Sequence, residues 1–308
     1  MPRGGARRPS VKRTPAKRSG VPRSRGQASG GERSPAKGDD RRGLGGDQVE
    51  GRQAVRELLL AGRRRVRELW ISTGDRVRRG PLQDLADLAD ELRVPVKFVS
   101  PGKLEAAARS EAPQGVLARC APLPEADLED LARPVDGEPP FLIAIDGVTD
   151  PGNFGALLRA AECCGATGVV VPKHRSVHVT PTVAKAAAGA IEHLPIALVA
   201  GLPAALERLA KLGVWSVGLD GGGPERIDQL TLADQPVVLV LGAEGKGLSP
   251  LVRRRCEVVV AIPLRGKVGS LNVAAAGAIA CYEVARRRLD AAAAGQLREP
   301  EVGVEPTT

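Results

Sequence analysis

The sequence predicts an α/β protein in which a larger domain, built on a parallel sheet, follows a small α/β domain and a disordered basic tail. Three observations carry this expectation. From residue 141 on, apolar runs of strand length alternate with helical stretches, the pattern of a parallel sheet covered by helices on both faces. Three of those runs end in polar, glycine-bearing loops, and loops at the carboxyl ends of parallel strands gather into one ligand crevice. Charge is also unevenly placed, since residues 1–45 hold 13 Lys and Arg against 3 acidic residues while the rest of the chain holds 32 against 33.

The tail, residues 1–46, is made of Arg, Lys, Pro, Gly and Ser with almost no large apolar residues. It cannot bury enough surface to offset the entropy of ordering. A cationic arm of this kind neutralises phosphates and releases counterions, which favours a nucleic-acid partner without reading its sequence. It lacks the apolar core of a secretion signal, and no run of about 18 apolar residues follows, so a cytoplasmic protein with no membrane partner is expected.

Residues 47–121 form the small α/β domain, with a helix over 51–62, a strand over 68–72, a helix over 81–92, and strands over 96–99 and 115–118. The proline-rich stretch 122–140 is a linker with one helical turn near 125–132. In the larger domain, 141–290, strands are expected over 141–146, 168–172, 196–200, 214–219, 237–242 and 257–262. Helices are expected over 153–164, 180–189, 202–212 and 270–288, and residues 291–308 form a second disordered tail.

Cysteines 120, 163, 164, 256 and 281 lack CxxC spacing, and histidines 174, 178 and 193 form no metal motif, so no metal is expected. The six aromatic residues argue against a base-stacking platform of the RRM type. Recognition then rests on charge, shape and hydrogen bonds.

The polar loops carry the chemistry. AIPLRGKVGSLNVAAAGAIA, residues 261–280, places Gly266 and Gly269 in a loop and Ser270 and Asn272 where a helix begins. Small residues admit close approach of the backbone, which suits a flat, polar ligand. DGVTDPGNFGALLRAAECCGA, residues 146–166, leaves a strand through Asp150-Pro151-Gly152 and enters a helix near Asn153 that carries Arg159. LVLGAEGKGLSP, residues 239–250, turns through Gly242, Glu244, Gly245 and Gly247. A phosphate-loop reading of this last segment fails, because Lys246 is followed by Gly247 and the first glycine position is Val240.

In order and spacing these three segments resemble the signature motifs of the SpoU, or TrmH-like, RNA ribose 2'-O-methyltransferases of the SPOUT superfamily. VEGRQAVRELL, residues 49–59, and PQGVLA, residues 113–118, resemble the entry and exit of that family's substrate-binding domain, with Pro113 where a histidine is common. The nearest branch is the RlmB type, which acts on guanosines of 23S ribosomal RNA. The resemblance implies a SPOUT fold with a deep trefoil knot, S-adenosylmethionine as cofactor, RNA as substrate and a homodimer in which first-motif residues approach the partner's cofactor. It further implies Arg159 as the catalytic arginine, with Asn153 supporting it or capping the helix and Glu244 positioning it or the RNA. Ser270 and Asn272 would line the site. Backbone at Gly242, Ile262 and Leu271 would hold the cofactor, with Leu264 and Gly266 nearby.

Methyl transfer to a ribose 2'-OH is an in-line displacement, so donor and acceptor must be aligned and one proton removed from a poor acid. Arginine holds its proton to a pKa above about 12, so fixing ribose and phosphate through the guanidinium fork is the easier role for Arg159. Two alternatives stand beside this reading, a tRNA ribose methyltransferase of the same superfamily and a non-catalytic RNA-binding assembly factor.

Overall fold

A computed structural model describes residues 43–73, 80–173 and 178–296. The expected tails therefore lie almost wholly outside the described residues.

The first sheet is built from β1 (Gln48–Glu50), α1 (Arg52–Ala61), β2 (Val66–Ser72), α2 (Pro81–Glu91), β3 (Val96–Val99), α3 (Pro101–Ala107) and β4 (Val116–Cys120), in the order β1-β4-β2-β3. β2 and β3 run parallel, whereas β4 is antiparallel to both β1 and β2. Ala54, Val55, Leu58 and Leu59 give α1 the apolar stripe that buries against this sheet. β1 and α3 were not anticipated. A strand of three residues is too short to show alternation, and α3 begins at a Ser-Pro step in a stretch with a single buried apolar side chain, Leu104.

The linker contains α4 (Leu128–Leu131), as expected, with Leu128 and Leu131 buried. Beyond it come β5 (Phe141–Asp146), α5 (Pro151–Cys163), β6 (Gly168–Pro172), α6 (Pro181–Ala186), a 3-10 turn at Ala190–Glu192 and β7 (Ile196–Val199). Then follow α7 (Leu202–Lys211), β8 (Trp215–Leu219), β9 (Glu225–Arg226), β10 (Val237–Gly242), α8 (Pro250–Arg255), β11 (Val258–Ala261) and α9 (Val273–Gln296). The seven strands are all parallel, in the order β7-β6-β5-β10-β8-β11-β9.

β5 and β10 lie side by side at the centre, and nearly every residue in them is buried, which is what covering both faces of a parallel strand requires. Phe141, Ile143 and Ile145 join one core with Leu157 of α5 and Val284 of α9, while Leu142, Ala144 and Val240 join the other with Leu206 of α7. A Cβ at Gly277 would lie 2.3 Å from Leu157 Cδ1, so α9 packs closely against α5 there and a side chain at 277 would require Leu157 to shift.

Several boundaries differ from expectation, among them that of α6, which ends at Ala186 rather than 189. α5 starts at Pro151 because Asp150 caps it, accepting from the Asn153 amide at 2.7 Å. α9 starts at Val273 and runs to Gln296, through the expected start of the second tail, because the run Ala291–Ala294 sustains a helix by propensity without apolar periodicity. α8 and β9 were missed, being six and two residues long.

The two sheets are joined by a buried ion pair. Arg64, between α1 and β2, donates from Nε to Glu192 Oε2 at 2.9 Å and from Nη1 to the Ala121 carbonyl at 2.8 Å, with both charged side chains 2% exposed or less.

Candidate active site

The carboxyl ends of β10, β8 and β11, with the start of α9, surround a cleft of about 340 Å³. Its walls are apolar at Leu219, Leu241, Ile262, Leu264 and Leu271 and polar at Asp220, Glu244, Lys246 and Ser270. That mixture, at a volume within the range of small-molecule sites, suits a ligand with both a flat aromatic part and charged ends.

The second-motif loop is shaped by its glycines. Ala243 and Gly247 exchange two backbone hydrogen bonds, at 3.1 and 3.0 Å, closing a tight turn in which Gly247 takes φ +64°. The turn folds back onto β10, where a Cβ at Gly242 would lie 2.2 Å from the Gly247 carbonyl carbon. Gly242 is thus required by the loop itself as well as lining the cleft.

Beside the cleft the three motifs meet in one polar cluster. Asn153, in the first turn of α5, donates from Nδ2 to Glu244 Oε1 at 2.7 Å. Asn272 donates from Nδ2 to both Asn153 Oδ1 (2.9 Å) and Glu244 Oε1 (2.8 Å). Its own Oδ1 accepts from the Ala274 and Ala275 amides at 2.9 and 3.3 Å, capping α9. A fourth tie joins the loops, since Asp146 at the end of β5 accepts from the Ser249 amide at 2.7 Å. Each side chain is fixed by the end of a regular element, so the cluster is set before any ligand arrives.

Gly242, Ile262, Leu264 and Leu271 line the cleft, and so do Glu244 and Ser270. Gly266 does not; it lies in an exposed stretch of the loop, with nothing within 4 Å of a Cβ built on it. Asn153 neither caps α5 nor meets Arg159, because Asp150 holds the cap and a spacing of six residues turns the two side chains about 120° apart around the helix. Glu244 bonds to Asn153 and Asn272, not to Arg159. Arg159 is exposed and makes no hydrogen bond or ion pair among the described residues.

Sequence reasoning missed the end of β8. Leu219, Asp220, Gly221 and Gly222 form a wall of the cleft, and Arg253 of α8 holds it by donating from Nη2 to the Gly222 carbonyl at 3.2 Å. The signal was available as Asp220 followed by three glycines, a fourth glycine-bearing strand end. Under this wall a Cβ at Gly218 would lie 2.9 Å from Cys256 Sγ, and burial, with Asp146 adding to it, pushes that thiol up to about 12. Cys256 is neutral packing.

A ligand cleft at the carboxyl ends of parallel strands, with polar side chains from three loops beside it, defines an α/β protein whose ligand site lies at the strand ends. The SpoU rRNA Methylase family matches residues 140–282, and the RNA 2'-O ribose methyltransferase substrate-binding family matches residues 48–126. The chain is 40% identical over 245 residues to the 23S rRNA (guanosine-2'-O-)-methyltransferase RlmB of Pseudomonas putida, covering 79% of this chain and 97% of that one. The RlmB of Pseudomonas aeruginosa gives the same identity and coverage. Among solved structures, an AdoMet-bound rRNA methyltransferase from Sinorhizobium meliloti aligns at TM-score 0.63 and 25% identity, over 78% of this chain and 87% of that one. The chain belongs to the SpoU family of RNA 2'-O-ribose methyltransferases, with S-adenosylmethionine as methyl donor.

Proposed function

We propose that this protein methylates the ribose 2'-OH of a guanosine in 23S ribosomal RNA. The observation that carries the reading is the meeting of Asn153, Glu244 and Asn272, one from each motif loop, at the edge of a cleft of adenosine size. The named activity of relatives at 40% identity supports the choice of RNA.

S-adenosylmethionine, when bound, supplies an electrophilic methyl group. The cleft residues fit it: Gly242, Ile262 and Leu271 would hold the adenosine between apolar walls, and the acidic side chains Asp220 and Glu244 would favour its cationic parts. Ser270 faces the same space. Arg159 binds the target ribose and its phosphate through its guanidinium fork and holds the 2'-oxygen in line. The hydrogen-bonded cluster keeps the first-motif helix in register with the cofactor loops.

Further parts of the reading rest on particular features. A homodimer pairing through α5 and α9 accounts for the exposed apolar residues Ile279, Tyr282 and Leu289 on α9, and brings Arg159 of one subunit to the cleft of the other. A trefoil knot fits a chain that leaves the sheet at β11 and returns so that α9 packs on α5 and β10. Residues 47–121 act as the RNA-binding domain, 122–140 as linker and 141 to the end of α9 as the methyltransferase domain, with the cationic residues 1–46 as an RNA-binding arm. No helix among the described residues is long and apolar enough to cross a membrane. No group of three or more His, Cys, Asp or Glu among the described residues could hold a metal.

Mass-spectrometric mapping of ribose methyls on total RNA, from cells with and without the gene, tests the proposal. Loss of one methylated guanosine in 23S ribosomal RNA is expected. Loss from a tRNA instead would reassign the substrate, and an unchanged map would point to a non-catalytic role.

A further inference from the structure

The first sheet has two unlike faces. Leu69, Ile71, Val116 and Ala118 are buried in the core with α1 and α2. The other face carries Glu68 and Trp70 of β2, with Lys97 opposite Trp70 on β3 and Arg119 opposite Glu68 on β4. There the Arg119 guanidinium sits 4.7 Å from the Trp70 ring centroid and the Lys103 ammonium, from α3, 5.5 Å from it.

One carboxylate organises this face. Glu68 accepts from Trp70 Nε1 at 2.9 Å and from Lys97 Nζ at 2.5 Å, and pairs with Arg119 at 3.4 Å. The hydrogen bond from Lys97, with those from its other neighbours, holds its carboxyl below the usual carboxylate range. Two cations thus pair with a single anion, a third lies over the neighbouring ring, and the side chains of Lys97 and Arg119 remain 59% and 46% exposed. The guanidinium laid over an indole presents a flat cationic surface, which is the surface on which an unstacked base sits.

Resting on the reading of this chain as an RNA methyltransferase, we propose that this face binds an unpaired nucleotide of the RNA substrate. The base stacks on the Arg119–Trp70 pair, and Lys97 and Lys103 take the flanking phosphates. The six aromatic residues of the chain do not make a multi-ring platform, but one ring with cations around it is enough for one base.

Tryptophan emission tests the placement, because the chain has only Trp70 and Trp215 and the residues before 43 contain no aromatic side chain. In full-length protein carrying Trp215→Phe, remote from the cleft at the start of β8, Trp70 is the sole reporter. Single-stranded oligoadenylate should quench its emission, and raising salt should reverse the quench. RNA duplex of equal length should bind, if at all, without quenching. Arg119→Gln, an exposed change, should weaken oligoadenylate binding about tenfold, while calorimetric affinity for S-adenosylmethionine stays the same. Binding seen by anisotropy of a labelled oligonucleotide, with unquenched Trp70 and no effect of Arg119→Gln, would overturn this surface and leave the methyltransferase reading intact. Quenching by duplex alone would overturn the unpaired-nucleotide assignment. Absence of both RNA binding and methyl transfer would overturn the surface and the reading beneath it.

Discussion

Asn153 and Arg159 share one helix, yet they occupy opposite situations. Asn153 is held at both ends of its amide, by Glu244 and Asn272, in a cluster whose members are fixed by a cap or a tight turn. Arg159 points to solvent without a partner among the described residues. A single chain can complete the first arrangement, because all its parts come from loops at one edge of one sheet. The second is left open by the chain alone, and in the function proposed above it is completed by an RNA phosphate or the cleft of a second subunit.

The largest test of this contrast is Arg159→Ala. If the arginine acts only on RNA, the variant should bind S-adenosylmethionine normally, melt at the same temperature and transfer methyl groups at least about a hundredfold more slowly, the range for loss of a positioned catalytic group. Residual activity near that of the parent would remove Arg159 from the mechanism.

Gly269→Val probes the other side. A Cβ at Gly269 meets nothing within 4 Å, and the residue lines the cleft, so the added side chain has room to enter space the cofactor needs. A roughly tenfold loss of cofactor affinity, equivalent to about 1.4 kcal/mol, with little change in melting is expected. Unchanged affinity by calorimetry would move the cofactor away from this loop.

Asn272→Ala should affect stability where Arg159→Ala does not. It removes the cap of α9 and two donors of the cluster, a loss of about 1–2 kcal/mol in thermal or denaturant unfolding. A variant as stable as the parent would mean that the cluster contributes no preorganisation.

Much of this was legible in the sequence, for reasons that can be located. The central strands were visible because burial on both faces forces continuous apolar runs such as Val237–Leu241. The motif loops were visible because close approach of backbone admits only glycine, as between Gly242 and Gly247. The partners of Asn153 were not, since a hydrogen bond spanning 119 residues to Asn272 leaves no local pattern. Gly266 was placed near the cofactor by its position between cleft residues in the sequence, and it is exposed and outside the cleft lining. The wall at Asp220 was overlooked because its glycines follow a strand of mixed character beginning at Trp215.

The smallest expected effect sharpens the same contrast from the exposed side of α5. Cys163 lies four residues beyond Arg159, so the two share a helix face. Its thiol is held above the ordinary value by partial burial and then by the Glu162 carboxylate, while the charge of Arg159 acts in the opposite sense. Burial pushes Cys120 to about 11 and Cys281, like Cys256, to about 12, so these three stay protonated at neutral pH. Alkylation at pH 8 should therefore mark Cys163 first, and its rate should climb with pH as the thiolate fraction grows. Arg159→Ala removes a charge that favours the thiolate and should slow this labelling by about twofold. In the proposed dimer the same face is covered, so the parent protein should label faster as it is diluted below its dissociation constant. A rate independent of protein concentration across the monomer–dimer range, measured by sedimentation, would place the dimer contact elsewhere and with it the route by which Arg159 reaches a partner's cleft.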